Sequence, residues 1–301
     1  MGPGSSGPTN DQRPTTNGFI KSHALGNDYV VVDPAALSFP LTPRAIRLIC
    51  DRHLGAGSDG ILALTPSARA DFGLRIYNPD GSEAEKSGNG LRIFARFLHD
   101  HGLTPKTAFT VETPGGVVRI TLDVRDGDVR LITVEMGTAT FASERIPVAG
   151  PPREVVNELI DVDGRSLTIT AVSVGNPHCV VFVPDLLDVD LNTLGPPLEH
   201  HPLFPNRTNV QFAEVRSPRR VGILIWERGA GVTMASGSSA CAVAAAAVRK
   251  GLTGRDLTIE MPGGNLQVSV AEDWSIRMAG PAVEVFSGTF SDAFLESLRG
   301  A

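Results

Sequence analysis

Basic clusters, paired cysteines and long apolar runs are all missing from this 301-residue sequence. The formal net charge is −6 and no Lys/Arg block stands out, which argues against a nucleic-acid or anionic-membrane partner. The longest run of small apolar residues, ACAVAAAAV at 240–248, is far too short to cross a bilayer. Three cysteines, Cys50, Cys179 and Cys241, show no paired or CxxC spacing and read as buried, reduced thiols of a cytoplasmic protein. No His/Cys/carboxylate cluster has metal-ligand spacing and nothing marks a Schiff-base lysine, so no metal, flavin or pyridoxal phosphate is expected. The opening MGPGSSGPTNDQRPTTNG lacks both the basic and the apolar region of a secretory signal, and its composition predicts a flexible extension over 1–17.

What is present is a core-forming composition, 42% apolar and 20% charged, and an internal duplication. Gly26-Asn27-Asp28-Tyr29-Val30-Val31-Val32 resembles Gly175-Asn176-Pro177-His178-Cys179-Val180-Val181, with the asparagines 149 positions apart. The same offset relates the strand-like Gly73–Asn78 to Gly222–Glu227, Ser87-Gly88-Asn89 to Ser236-Gly237-Ser238, and Gly102 to Gly251. Glu112-Thr113-Pro114-Gly115-Gly116 recurs as Glu260-Met261-Pro262-Gly263-Gly264, one position out of that register. Five matches in one order predict two similar mixed α/β (α+β-like) domains. The expected boundaries are 18–136, completed by 280–301, and 137–279.

Residues 72–77 and 221–226 are short β-branched or aromatic runs and predict buried strands. Leu91, Phe94 and Leu98 give the helix after Ser87 one core-facing stripe, while its partner at 240–248 is apolar all round. Basic residues and then glycine close both helices, and each Pro-Gly-Gly reads as a hairpin turn. Gly55-Ala56-Gly57-Ser58-Asp59-Gly60 fits the dinucleotide pattern GxGxxG, but it follows a helical stretch and precedes a strand, the reverse of what that motif needs.

A strand, a loop, a small residue and then Gly place free backbone N–H groups at a helix N-terminus, where they and the macrodipole attract an anion such as a carboxylate. Two such termini across one cleft can grip a single α-carboxylate, with one side chain approaching each face of its Cα. That geometry suits stereoinversion, one group removing a proton and the opposite group returning one. Taken singly, Ser87 reads as an ordinary N-cap, His178 as a hydrogen-bonded core histidine, Glu227-Arg228 as an ion pair, Asn27 and Asn176 as turn residues, and Tyr77 and Trp226 as core.

The segments HALGNDYVVVD (23–33), NPDGSEAEKSGNG (78–90), VGNPHCVVFV (174–183), RTNVQFAEV (207–215) and ERGAGVTMASGSSACA (227–242) resemble the diaminopimelate epimerase family, over essentially all of 18–290. The resemblance implies a cofactor-independent isomerase of amino acid metabolism and lysine biosynthesis, of the same fold group as proline racemase and usually a homodimer, with two domains related by a pseudo-twofold axis and the active site in the cleft between them. It implies substrate contacts from Asn27, Asn78, Asn176, Asn209 and Arg228 and carboxylate cradles at Gly88-Asn89 and Gly237-Ser238. His178 and Glu227 match the residues that polarise two catalytic thiols. Where that pattern carries a cysteine in each cradle, this sequence has Ser87 and Ser236, and Val232-Thr233 stands where a glutamate commonly follows the glycine.

The replacement matters chemically. A thiol titrates near 8.5, whereas an unperturbed serine hydroxyl lies several pH units higher, a deficit on the order of 5–8 kcal/mol or several decades in rate. Serine acts only if His178 or Glu227 takes its proton in concert. Three readings stay open: a family member whose two cysteines were replaced by design to trap a small amino-acid substrate; a natural relative in which His178 and Glu227 act directly as bases in an isomerisation, elimination or cyclisation; and a non-catalytic amino-acid binder.

Overall fold

The computed structural model describes residues 16–299; the expected extension falls outside them over 1–15, while Asn17 is buried and accepts a hydrogen bond from Ser38 N (2.7 Å). The first half runs β1 (Gly18–Ala24), β2 (Asn27–Val32), α1 (Pro43–Cys50), β3 (Ile61–Thr65), β4 (Phe72–Tyr77), β5 (Glu83–Ala84), α2 (Gly88–Asp100), β6 (Ala108–Thr113), β7 (Gly116–Arg125) and β8 (Asp128–Thr138). The second half runs β9 (Glu158–Val162), β10 (Arg165–Ser173), β11 (Pro177–Phe182), α3 (Leu191–Glu199), β12 (Asn209–Ser217), β13 (Arg220–Glu227), β14 (Gly231–Thr233), α4 (Gly237–Arg249), β15 (Asp256–Met261), β16 (Gly264–Val270) and β17 (Ser275–Gly280). Then β18 (Val283–Thr289) and α5 (Asp292–Arg299) return to the first half.

Strand pairing makes the duplication explicit. The first half is ordered β18-β1-β2-β3-β4-β6-β7-β8, with β2–β3 and β4–β6 parallel. The second is ordered β9-β10-β11-β12-β13-β15-β16-β17, with β11–β12 and β13–β15 parallel. Each parallel step is crossed by a helix, as such a connection requires. An antiparallel β8–β17 ladder joins the halves, and the first half takes its outermost strand, β18, from the end of the chain. The Pro-Gly-Gly segments turn β6 into β7 and β15 into β16.

Both central helices are wrapped by strands. α4 is a run of small apolar residues because only a slim helix fits there, and Ala240 through Ala247 are all fully buried. α2 departs from the single stripe predicted for it: beside Leu91, Phe94 and Leu98 it also buries Arg92, Ile93, Ala95 and Phe97, since its outer face meets the sheet instead of solvent. α1 and α5 share a smaller cluster with β2 and β3, and α3 packs outside the second half. Gly102 and Gly251 end α2 and α4 at φ of 66° and 67°, a left-handed conformation that glycine tolerates at a helix C-terminus. The three cysteines are buried and unpaired.

Candidate functional site

Ser87 and Ser236 cap α2 and α4 in nearly the same extended conformation, φ/ψ of −138°/118° and −142°/122°. Each side-chain oxygen accepts from the N–H three residues on, Gly90 at 3.0 Å and Ser239 at 3.4 Å, and each carbonyl accepts from the fourth, Leu91 and Ala240. That leaves the N–H groups of Gly88, Asn89, Gly237 and Ser238 without a protein acceptor among the described residues. The two termini adjoin: a Cβ placed on Gly237 stands 3.4 Å from Gly88 Cα. Capping and anion binding are compatible here, because the serines use the third and fourth donors and free the first two. Four N–H donors and two positive dipole ends converge on one place.

On the α2 side, Tyr29 Oη lies 3.4 Å from Ser87 Oγ. Gly60 makes room for that ring, since a Cβ there stands 2.8 Å from Tyr29 Cε1. Burial, and after it the nearby Glu227, Asp59 and Asp28 carboxylates, push the phenol up to about 12, against the pull of Ser87. Asn89 Nδ2 donates to Asn27 Oδ1 (3.0 Å) and across the halves to Ala235 O (3.3 Å). Asn27 Nδ2 donates in turn to Asp59 Oδ2 (2.9 Å), and Arg52 bridges Asp28 and Asp59. Burial disfavours charge at Asp28, yet Arg52 and Lys21 hold its carboxyl below the usual range. Beneath this layer Arg92 is fully buried, and its acceptors among the described residues are all neutral: Asn89 Oδ1 (2.9 Å), Gly88 O, Pro281 O and Met278 Sδ.

On the α4 side, burial raises the Glu227 carboxyl above the usual range, and a hydrogen bond from Ser236 partly opposes this. Ser236 Oγ also stands 3.4 Å from Ser238 Oγ. His178 is completely buried, its Nε2 3.0 Å from Asn176 Oδ1 and its Nδ1 without a partner among the described residues. Burial holds it neutral, down at about 3; Gln211 beside it opposes the shift and Arg228 adds repulsion. Gln211 Nε2 donates to Ser239 Oγ (3.0 Å), tying β12 to the first turn of α4.

The expected binding residues divide into two groups. Asn209 bridges Pro177 O (2.9 Å) and Arg228 N (3.0 Å), and Asn78 donates to Ser82 Oγ (2.9 Å), so both hold loops. Asn176 keeps its amide NH2 free of protein acceptors among the described residues, and exposed Arg228 spends one N–H on Asn206 O. Glu227 and Arg228 form no ion pair among the described residues. Trp226 is half-buried; its Nε1 donates to Glu199 Oε2 (2.7 Å), and Glu199 Oε1 accepts from Gly229 N (2.9 Å), pinning the turn after β13. The sequence reading missed Tyr29, Arg92 and Gln211, and it set aside the Gly55–Gly60 loop that supplies Asp59 and Gly60. One signal was available for Tyr29: it lies 149 positions before His178. No His/Cys/Asp/Glu group among the described residues is arranged to hold a metal ion.

The profile of the diaminopimelate epimerase family matches residues 19–142 and 170–285. The chain is 49% identical over 275 residues to diaminopimelate epimerase 2 of Nostoc, covering 91% of this chain and 95% of that protein. It is 45% identical over 277 residues to the diaminopimelate epimerase of Pelotomaculum thermopropionicum, covering 90% and 98%. In fold it resembles a probable proline racemase from Agrobacterium radiobacter, with a TM-score of 0.70 at 17% identity over 94% of this chain and 95% of that one. Two capped helix N-termini meeting inside a duplicated mixed α/β fold agree with these likenesses, and the chain belongs to the diaminopimelate epimerase family.

Proposed function

We propose that the protein inverts configuration at the Cα of an amino acid of the diaminopimelate class, without a cofactor and with Ser87 and Ser236 as the proton-exchanging pair. The observation that carries this is the meeting of two serine-capped helix termini whose four N–H groups, at Gly88, Asn89, Gly237 and Ser238, have no acceptor among the described residues. An α-carboxylate seated on these donors presents its Cα between the hydroxyls. As negative charge spreads from Cα into the carboxylate, the same donors and the buried Arg92 charge stabilise it. The Glu227 carboxylate takes the proton of Ser236 as that serine acts. Arg228 and the free amide of Asn176 are available to the substrate's distal end. His178, neutral and buried, stiffens the wall beside Gln211 instead of exchanging protons itself. A cytoplasmic homodimer fits the family resemblance.

The test is incubation of LL- and meso-diaminopimelate with the protein in deuterated water, followed by NMR. Slow loss of the Cα–H signal with growth of the other diastereomer is the expected result. An unchanged substrate after prolonged incubation, with binding demonstrated by calorimetry, overturns the reading in favour of a non-catalytic binder.

A further inference from the structure

Tyr29 is a buried phenol whose one hydrogen-bond partner among the described residues is Ser87 Oγ, at 3.4 Å. A buried tyrosine hydroxyl normally finds a partner for its proton. Its ring position is fixed by the backbone, because only a glycine at position 60 leaves space beside Cε1. A serine hydroxyl has one proton to give and two lone pairs to fill. At Ser87 the Gly90 N–H fills one lone pair at 3.0 Å and the Tyr29 hydroxyl is placed to fill the other. With both lone pairs filled, the Ser87 proton is the one left to give. On the other side Ser236 hydrogen-bonds to the Glu227 carboxyl, while its Oγ accepts from the Ser239 N–H (3.4 Å) and stands 3.4 Å from Ser238 Oγ.

We propose that Tyr29 is a positioning residue that donates to Ser87 Oγ, making Ser87 the proton donor of the pair while Glu227 makes Ser236 the proton acceptor. This rests on the function proposed above. In one turnover the Cα proton passes to Ser236 Oγ as that serine's proton passes to the Glu227 carboxylate. The Ser87 proton passes to the opposite face of Cα. The single negative charge thus moves from Glu227 to Ser87 Oγ, where the Gly90 N–H and the Tyr29 hydroxyl hold it. Solvent returns the proton from Glu227 to Ser87 after product leaves, which resets the site.

The charged or titratable groups facing Tyr29 are Glu227, Asp59 and Asp28, all carboxylates, so its hydroxyl stays protonated and remains a donor at neutral pH. Tyr29 also occupies the position equivalent to His178 in the duplication. The two copies have diverged chemically: the phenol reaches its serine, whereas the imidazole turns to Asn176.

A thiol reporter tests the hydrogen bond without any turnover. In Ser87→Cys the introduced thiol gains acidity from a donor beside it, and the three native cysteines are buried and slow to react. Iodoacetamide alkylation of Ser87→Cys at pH 7.5 is expected to slow about tenfold when Tyr29→Phe is added. Alkylation of Ser236→Cys is expected to be the same with and without Tyr29→Phe. Equal rates in the Ser87→Cys pair overturn the proposal, and so does an equal change in both pairs, which marks a structural effect. For the direction of transfer, Tyr29→Phe alone is compared with the unaltered protein in deuterated water. One diaminopimelate stereoisomer is expected to show a several-fold higher ratio of Cα–H exchange to inversion, because abstraction continues while delivery from Ser87 is impaired. A parallel fall of both rates overturns the donor assignment. If the unaltered protein exchanges no Cα–H, the proposed function fails, and the alkylation pairs still decide whether Tyr29 donates to Ser87.

Discussion

The two halves share strand order, crossover helices and cap geometry, and they differ at the residues facing the two serines. In the first half Ser87 meets a phenol that stays protonated; in the second Ser236 meets a half-buried carboxylate. A duplicated fold supplies two anion cradles at no extra complexity, but inversion at Cα needs a donor opposite an acceptor. Symmetry is therefore kept in the backbone and broken in the side chains. The second layer follows the same division. α2 carries the buried Arg92 cation, while its counterpart 149 positions on is the buried thiol Cys241 on α4, pushed up to about 12 by burial, with Lys86 and Arg92 opposing.

The largest expected effect erases the chemical difference from cysteine. Ser87→Cys with Ser236→Cys is expected to speed Cα–H exchange by several decades, since the thiol deficit of about 5–8 kcal/mol disappears. No acceleration in a folded double variant breaks the assignment of both serines to proton exchange. Next comes the asymmetry itself. Glu227→Gln is expected to lower the inversion rate by roughly 10²–10⁴, as loss of a general base does, whereas Tyr29→Phe costs only about tenfold. Equal losses for the two substitutions mean that the halves are chemically equivalent.

A third prediction concerns stability. His178 titrates near 3 in the folded chain and near 6.5 when unfolded, so the unfolded chain binds the extra proton between those values. Its contribution is whole above pH 6.5 and is lost as the pH falls, by about 2–3 kcal/mol between pH 7 and 4.5. Glu227, raised in the folded state, acts in the opposite sense and offsets part of this as it takes up its proton. Urea midpoints at the two pH values measure the loss, and His178→Gln is expected to reduce it; an unchanged loss removes His178 as its source.

A smaller effect is expected at Arg92. Arg92→Met leaves Asn89 Oδ1 short of a donor but removes a buried charge whose acceptors among the described residues are neutral, so thermal stability is expected to move little. Carboxylate binding, read by calorimetry with diaminopimelate, is expected to weaken several-fold. Unchanged affinity removes Arg92 from the cradle's electrostatics.

The elements built on short-range rules were legible: the Ser87 and Ser236 caps, the Pro-Gly-Gly hairpins, the glycine-stopped helices and the all-apolar α4. The 149-residue repeat showed that two copies of one unit were to be expected. Several site assignments drawn from the resemblance divide once the loops are in place. Asn209 and Asn78 are occupied with loop contacts, and His178 faces Asn176 in preference to a serine. The Gly55–Gly60 loop was dismissed for its context, which was sound for a nucleotide site. Its value as a wall for Tyr29 depends on contacts between residues 31 positions apart, which no local pattern reports.

The sequence by itself determined the duplication, the family and the two serine-capped helices, because caps, turns and periodicity are properties of a few neighbouring residues. Only the tertiary structure decided that the two helix N-termini adjoin, that Tyr29 stands beside Ser87 and Glu227 beside Ser236, and that the buried Arg92 meets only neutral acceptors among the described residues. Those placements come from strands wrapping both helices and from the β8–β17 ladder that closes the halves on each other. Burial then raises the Tyr29 phenol and the Glu227 carboxyl above their usual ranges, and burial belongs to the assembled fold.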